Sequence, residues 1–192
     1  MKRIVAVAIS LALSVATPGI ASADATHQQA INLVIARALS QRGVPFAYGG
    51  GNVSGPSLGT ASVDTPADPT VSAVPAADTL GTAGLNLAPV AAPAVESRVS
   101  RVGFDASGLV VYAFAGAGIK MPRSSGEQYK VGQKVLPSQA LPGDLIFYGP
   151  DGTQSVALFI GNGQMIEGTE PAVTVSPVRT SGMTPYLTRI IS

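Results

Sequence analysis

Three short apolar runs near the C-terminus constrain the fold most. They are Leu145-Ile146-Phe147-Tyr148, Val156-Ala157-Leu158-Phe159-Ile160 and Gln164-Met165-Ile166-Glu167. Each is of strand length, and each is bounded by a turn signal: Pro142-Gly143-Asp144, Gly149-Pro150-Asp151-Gly152 and Gly161-Asn162-Gly163. The last of these marks a tight hairpin. Runs this short and this closely spaced leave no room for crossover helices, so they predict an antiparallel meander. A further strand-like run, Leu187 to Ile191, closes the chain.

Helical periodicity lies on the other side of the sequence. From His27 to Arg42, Ala30, Ile31, Val34, Ile35, Ala38 and Leu39 recur at three- and four-residue steps, with Gly43 as C-cap and Pro45 forbidding continuation. A second helix is predicted from Asp105 to Gly116, where Leu109, Val110, Ala113 and Phe114 share a side and Asp105 and Ser107 stand near its N-terminus. Helices followed by an antiparallel meander define an α+β domain.

The intervening composition is different. Between Asn52 and Val95 there are six prolines, three charged residues (Asp64, Asp68, Asp78) and no aromatic residue. Such a stretch buries too little apolar surface to offset its ordering entropy, so residues 52–97 are expected to be a flexible Ala/Pro-rich insertion. The alternative is an extended strap over the domain surface. Residues 24–51 then form the N-terminal helix and Gly-rich loop, and residues 98–192 the main part of the domain.

At the N-terminus, Lys2 and Arg3 precede a twelve-residue, largely apolar run from Ile4 to Val15. Thr17, Pro18 and Gly19 interrupt it, and Ala21-Ser22-Ala23 supplies small residues. This order predicts a signal peptide over residues 1–23, cleaved after Ala23. The run falls short of the roughly 20 apolar residues of a membrane span. The remaining 169 residues carry a charge balance of −1 and no stable span. A secreted protein of the cell wall or periplasm is expected.

Two near-absences limit the chemistry. There is no cysteine, which excludes disulfides, thiolate metal sites and a cysteine nucleophile, and His27 is the sole histidine, which excludes a His-rich zinc site. No metal and no cofactor is expected. Twelve Lys+Arg against eleven Asp+Glu, with no basic cluster, give no footprint for nucleic acid. His27, among polar residues at a helix start, reads as a solvated surface side chain.

The segment Phe104-Asp105-Ala106-Ser107-Gly108-Leu109-Val110 resembles the NlpC-type, papain-like cell-wall peptidases. Their nucleophile lies in an Asp-Cys-Ser-Gly-Leu/Phe-Val sequence at a helix start. The likeness continues through Pro45-Phe46-Ala47-Tyr48-Gly49-Gly50, Leu141 to Tyr148, Ser155 to Gly163 and Ile166-Glu167. It extends to the mycobacterial Rip group of peptidoglycan endopeptidases, most closely to a catalytically inactive member. The resemblance implies a papain-like fold in which N-terminal helices pack on a central antiparallel sheet.

It also implies a degenerate site. The family's cysteine position is Ala106, its histidine position is Ser155 after Gln154, and its third polar position, twelve residues on, is Glu167. A tyrosine whose hydroxyl faces the oxyanion is replaced by Phe46, removing a donor worth a few kcal/mol. No substitute is evident. Ser107 lacks a base, the Ser155 hydroxyl is too weakly basic to be one, and His27 lies where the family places no catalytic residue. A water activated by Glu167 would have nothing to polarise the scissile carbonyl.

The groove of this family recognises peptidoglycan stem peptides. By position, Asp105 could accept from a stem-peptide ammonium or amide and Ser107 could bond a carboxylate, although both also serve as helix caps. Tyr48 and Glu167 are candidate groove residues, Tyr48 having packing at the loop edge as its alternative. Arg123 could place a cation near acidic stem-peptide groups, or be a solvated arginine. Glu127, Lys130 and Lys134 read as an exposed face. The expectation is a monomeric, non-catalytic peptidoglycan-binding protein that scaffolds or modulates cell-wall hydrolases. The alternatives are residual or unusual endopeptidase activity, and an interaction module for such hydrolases that docks through residues 52–97.

Overall fold

The computed structural model describes residues 19–62 and 98–192. The expected signal peptide lies outside the described residues as far as Pro18. The helix α1 spans Gly19–Leu39, so Gly19 opens a helix rather than interrupting one. The same helix begins earlier than the apolar stripe predicted and stops three residues sooner. After Leu39 the chain turns, and Gly43 takes φ +82° while donating its N–H to Val173 O. His27 is exposed on α1.

Part of the stretch expected to be a flexible insertion has regular structure. Ser57–Ser62 forms β1, paired antiparallel with β2 (Arg98–Gly103) from Ser57↔Gly103 to Ser62↔Arg98. Small polar residues form a strand here because the ladder to β2 satisfies their backbone, a long-range pairing invisible in local composition. Residues 63–97 lie outside the described residues.

The helix α2 spans Ala106–Ala115. Asp105, extended at φ −89° and ψ 176°, caps it by accepting the Gly108 N–H at 2.6 Å. Buried side chains occupy most of its circumference, including Leu109, Val110, Val111, Ala113 and Phe114. A helix apolar on nearly all sides belongs inside the domain. It packs between α1, through Val34 and Ala38, and the sheet. The short helix α3 (Ser125–Lys130) is started by Ser124, whose Oγ accepts the Glu127 N–H and donates to the Glu127 carboxylate.

Six strands form the main sheet in the order β3 (Gln133–Val135), β8 (Leu187–Arg189), β4 (Leu145–Tyr148), β5 (Ser155–Gly161), β6 (Gln164–Glu167) and β7 (Thr174–Pro177). All neighbouring pairs are antiparallel. Both sheet faces are covered. Leu145, Phe147, Val156, Leu158 and Ile166 join α1 and α2 in one core, and Ile146, Tyr148, Ala157, Met165 and Leu187 form a second on the opposite face. The expected α+β architecture, helices against a central antiparallel sheet, is the observed one.

Candidate functional site

The α2 N-terminus opens into a cleft of about 610 Å³. Its lining includes Phe46, Tyr48 and Gly49 from the loop after α1, Asp105, Ala106 and Ser107 from α2, Arg123 to Ser125 before α3, Thr153 to Ser155 at the start of β5, and Gly168 and Thr169 after β6. Two backbone approaches build it. At Gly108 an added Cβ would meet Gly50 O at 2.2 Å, and at Gly168 it would meet Asp105 O at 2.7 Å. Glycine at these positions lets the loop and the end of β6 close on the helix start.

Ala106 is the first residue of α2, and Ser155, the first residue of β5, is held in register opposite Tyr148. Both line the cleft, so the structure brings a methyl and a hydroxyl to one site. Phe46 is half-buried in the same lining, its N–H donating to Pro171 O. Tyr48, for which packing at the loop edge was an alternative, is 68% exposed at the rim.

Asp105, Ser107 and Arg123 also meet in the cleft, but as partners of one another. The Arg123 guanidinium grips the Asp105 carboxylate at 3.0 and 2.9 Å, and donates to Ser107 Oγ at 2.8 Å and Gly50 O at 2.9 Å. Arg123, read from sequence either as a cation for acidic ligand groups or as a solvated arginine, is instead engaged with the protein through both terminal nitrogens. Asp105 further accepts from the Gly49 N–H and from Ser107 Oγ, both at 3.0 Å.

Glu167 requires a correction, because it does not line the cleft. Strand alternation puts it on the face of Met165, opposite the Ile166 face that meets α2. There it is 2% exposed, and its carboxylate receives Ser176 Oγ at 2.9 Å and both arms of Arg179, one of them at 2.8 Å. The hydrogen bond to Glu167 is the main cause that raises the Arg179 pKa. The same guanidinium sits 4.7 Å over the Tyr148 ring. Burial pushes the Tyr148 pKa up, against the opposing field of Arg179. Arg179 escaped sequence reasoning because nothing local links it to a carboxylate twelve residues earlier. Ser124 and Ser125 carry a readable signal in the Ser-x-x-Glu pattern from Ser124 to Glu127.

Among the described residues no group of His, Asp and Glu could hold a metal, and no helix is long and apolar enough to cross a membrane. The NlpC/P60 family model matches residues 92–192, which cover β2, α2 and the whole main sheet. The chain belongs to the NlpC/P60 family. Its relatives include the peptidoglycan endopeptidase RipB of Mycobacterium tuberculosis, 47% identical over 169 residues, or 87% of this chain and 56% of RipB. This NlpC/P60 chain thus spans little more than half of that relative. Among solved structures, RipD of M. tuberculosis, a non-catalytic NlpC/p60 domain protein adapted to peptidoglycan binding, is 55% identical. It covers 85% of this chain and 98% of its own, with a TM-score of 0.62.

RipA has been solved with mutations at a cysteine, a histidine and a glutamate that lie 49 and 12 residues apart. The structures mutated at the cysteine and at the histidine are 44% and 43% identical to this chain, with TM-scores of 0.64, and cover 87% of it and 65% and 64% of theirs. Ala106, Ser155 and Glu167 stand at the same two intervals.

Proposed function

We propose that this chain is an exported, non-catalytic peptidoglycan-binding member of the NlpC/P60 family that holds stem peptides and thereby scaffolds or modulates active cell-wall hydrolases. One observation carries the reading. A helix start and a strand start converge on one cleft bearing Ala106 and Ser155, at the spacing of a cysteine and a histidine in RipA. A methyl can neither form a thiolate nor attack a carbonyl, and a serine hydroxyl cannot serve as a general base near neutral pH. The cleft around them presents hydroxyl and amide groups from Ser125, Gln154, Ser155 and Thr169 beside the apolar Phe46 and Ala106. Such a lining can hold a peptide backbone without cutting it. The 55% identity to RipD supports the same reading.

Co-sedimentation with insoluble peptidoglycan tests the binding, with the protein expected in the pellet at micromolar concentration. Protein that stays in the supernatant overturns it. Incubation with muropeptides, followed by mass spectrometry, tests the loss of catalysis. No product is expected, and release of any cleavage product by the unaltered protein would overturn the non-catalytic assignment.

A further inference from the structure

The charged groups of the cleft cancel. Among its described lining residues only Asp105 and Arg123 carry charge, and they form a two-armed pair in which the aspartate is 15% and the arginine 43% exposed. Both terminal nitrogens of Arg123 are fully engaged, each with Asp105 and with one further acceptor, Ser107 Oγ or Gly50 O. Both Asp105 oxygens are engaged in turn, by Arg123 and by the Gly49 and Gly108 amides. Ser107 both donates and accepts within the cluster. Both carboxylate oxygens and both terminal arms of the guanidinium therefore already have partners within the protein.

An ammonium reaching Asp105 would have to displace a bidentate guanidinium, one of the stronger polar pairings available to a protein. A carboxylate entering the cleft would lose hydration and find no unpaired cation. Amides and hydroxyls face neither cost, and the remaining polar lining supplies donors and acceptors of that kind. We infer that the cleft takes an uncharged stretch of peptide, and that Arg123 sets this preference by occupying the carboxylate that would otherwise hold an ammonium group. This rests on the reading of the chain as a peptidoglycan binder and names the chemical class that its site accepts.

The test compares one synthetic stem tetrapeptide in three forms by calorimetric titration of the full chain. In the first form every amine is acetylated and every carboxyl amidated; the second has free amines, and the third has free carboxylates. The unaltered protein is expected to bind the neutral form about tenfold more tightly than either charged form, the factor that one charge-assisted hydrogen bond supplies. Arg123→Gln frees Asp105 and should invert the order, making the free-amine form the preferred one. Arg123→Lys keeps the compensating charge and should keep the preference for the neutral form, which guards against a glutamine variant that fails to fold. Equal affinity of the unaltered protein for the neutral and free-amine forms overturns the inference. So does a preference unchanged in a folded Arg123→Gln variant. If intact peptidoglycan is bound but none of the three peptides is, the inference fails and the binding reading stands; if neither is bound, both fail.

Discussion

Tyr148 joins the second core to the Glu167–Arg179 pair. Its hydroxyl lies 3.2 Å from Met165 Sδ and 3.2 Å from Arg179 O, and burial raises its pKa above the ordinary 10.0. The folded state therefore keeps the phenol proton to higher pH than the unfolded state does. Stability is unaffected by this group below pH 10.0 and falls as pH rises past it, because the unfolded chain then ionises first. Lys134 acts in the opposite sense: burial lowers its pKa from 10.5, so the folded state releases that proton first and gains stability as pH rises toward 10.5. Urea unfolding of the unaltered protein and of Tyr148→Phe, at neutral pH and just above 10.0, separates the two. The difference in stability between them should shrink at the higher pH, and a constant difference would contradict the assignment.

Elements were legible in the sequence where apolar runs and turn residues agreed. The bounds of β4 and β6 coincide with Leu145–Tyr148 and Gln164–Glu167, because Gly149 and the Gly161-Asn162-Gly163 turn punctuate largely buried segments. The six residues of α3 are too few for helical periodicity, and β7 is a half-exposed edge strand ending in Pro177, so neither carries a hydrophobic signature. The same limit hid the site's pairings. Asp105, Ser107, Ala106 and Ser155 could be placed by motif, whereas the grip of Arg123 on Asp105 depends on two loops meeting in space. At this scale the helix start is the sensitive point. Gly108→Ala gains helix propensity but forces a methyl against Gly50 O, so a net loss of about 1–3 kcal/mol is expected by chemical denaturation.

For the whole molecule, the separation of fold from chemistry is the main consequence. Neither Ala106 nor Ser155 is among the fully buried members of the core that holds α2 against β5; Ala106 packs against its edge, half-buried, and Ser155 lies in the cleft lining. If only the chemical groups are missing, the double variant Ala106→Cys, Ser155→His should cleave muropeptides on the order of 10²-fold faster than Ala106→Cys alone, the contribution of a positioned base. Adding Phe46→Tyr should increase the rate further by returning an oxyanion donor. Fragment release followed by mass spectrometry measures both. Absence of cleavage in the folded triple variant would mean that the cleft has changed its shape as well as its groups.

The ladder between β1 and β2 ends with Ser62 directly across from Arg98. Residues joined in this way sit about 5 Å apart, the span of an ordinary two-residue reverse turn. The chain thus leaves the ladder at Ser62 and rejoins it at Arg98, two ends held side by side. A two-residue turn from Ser62 to Arg98 would therefore close this ladder in place of the 35 residues that the sequence carries there. For an experimenter the same point is a ready splice junction, where a reporter or an epitope can be grafted into the middle of the chain.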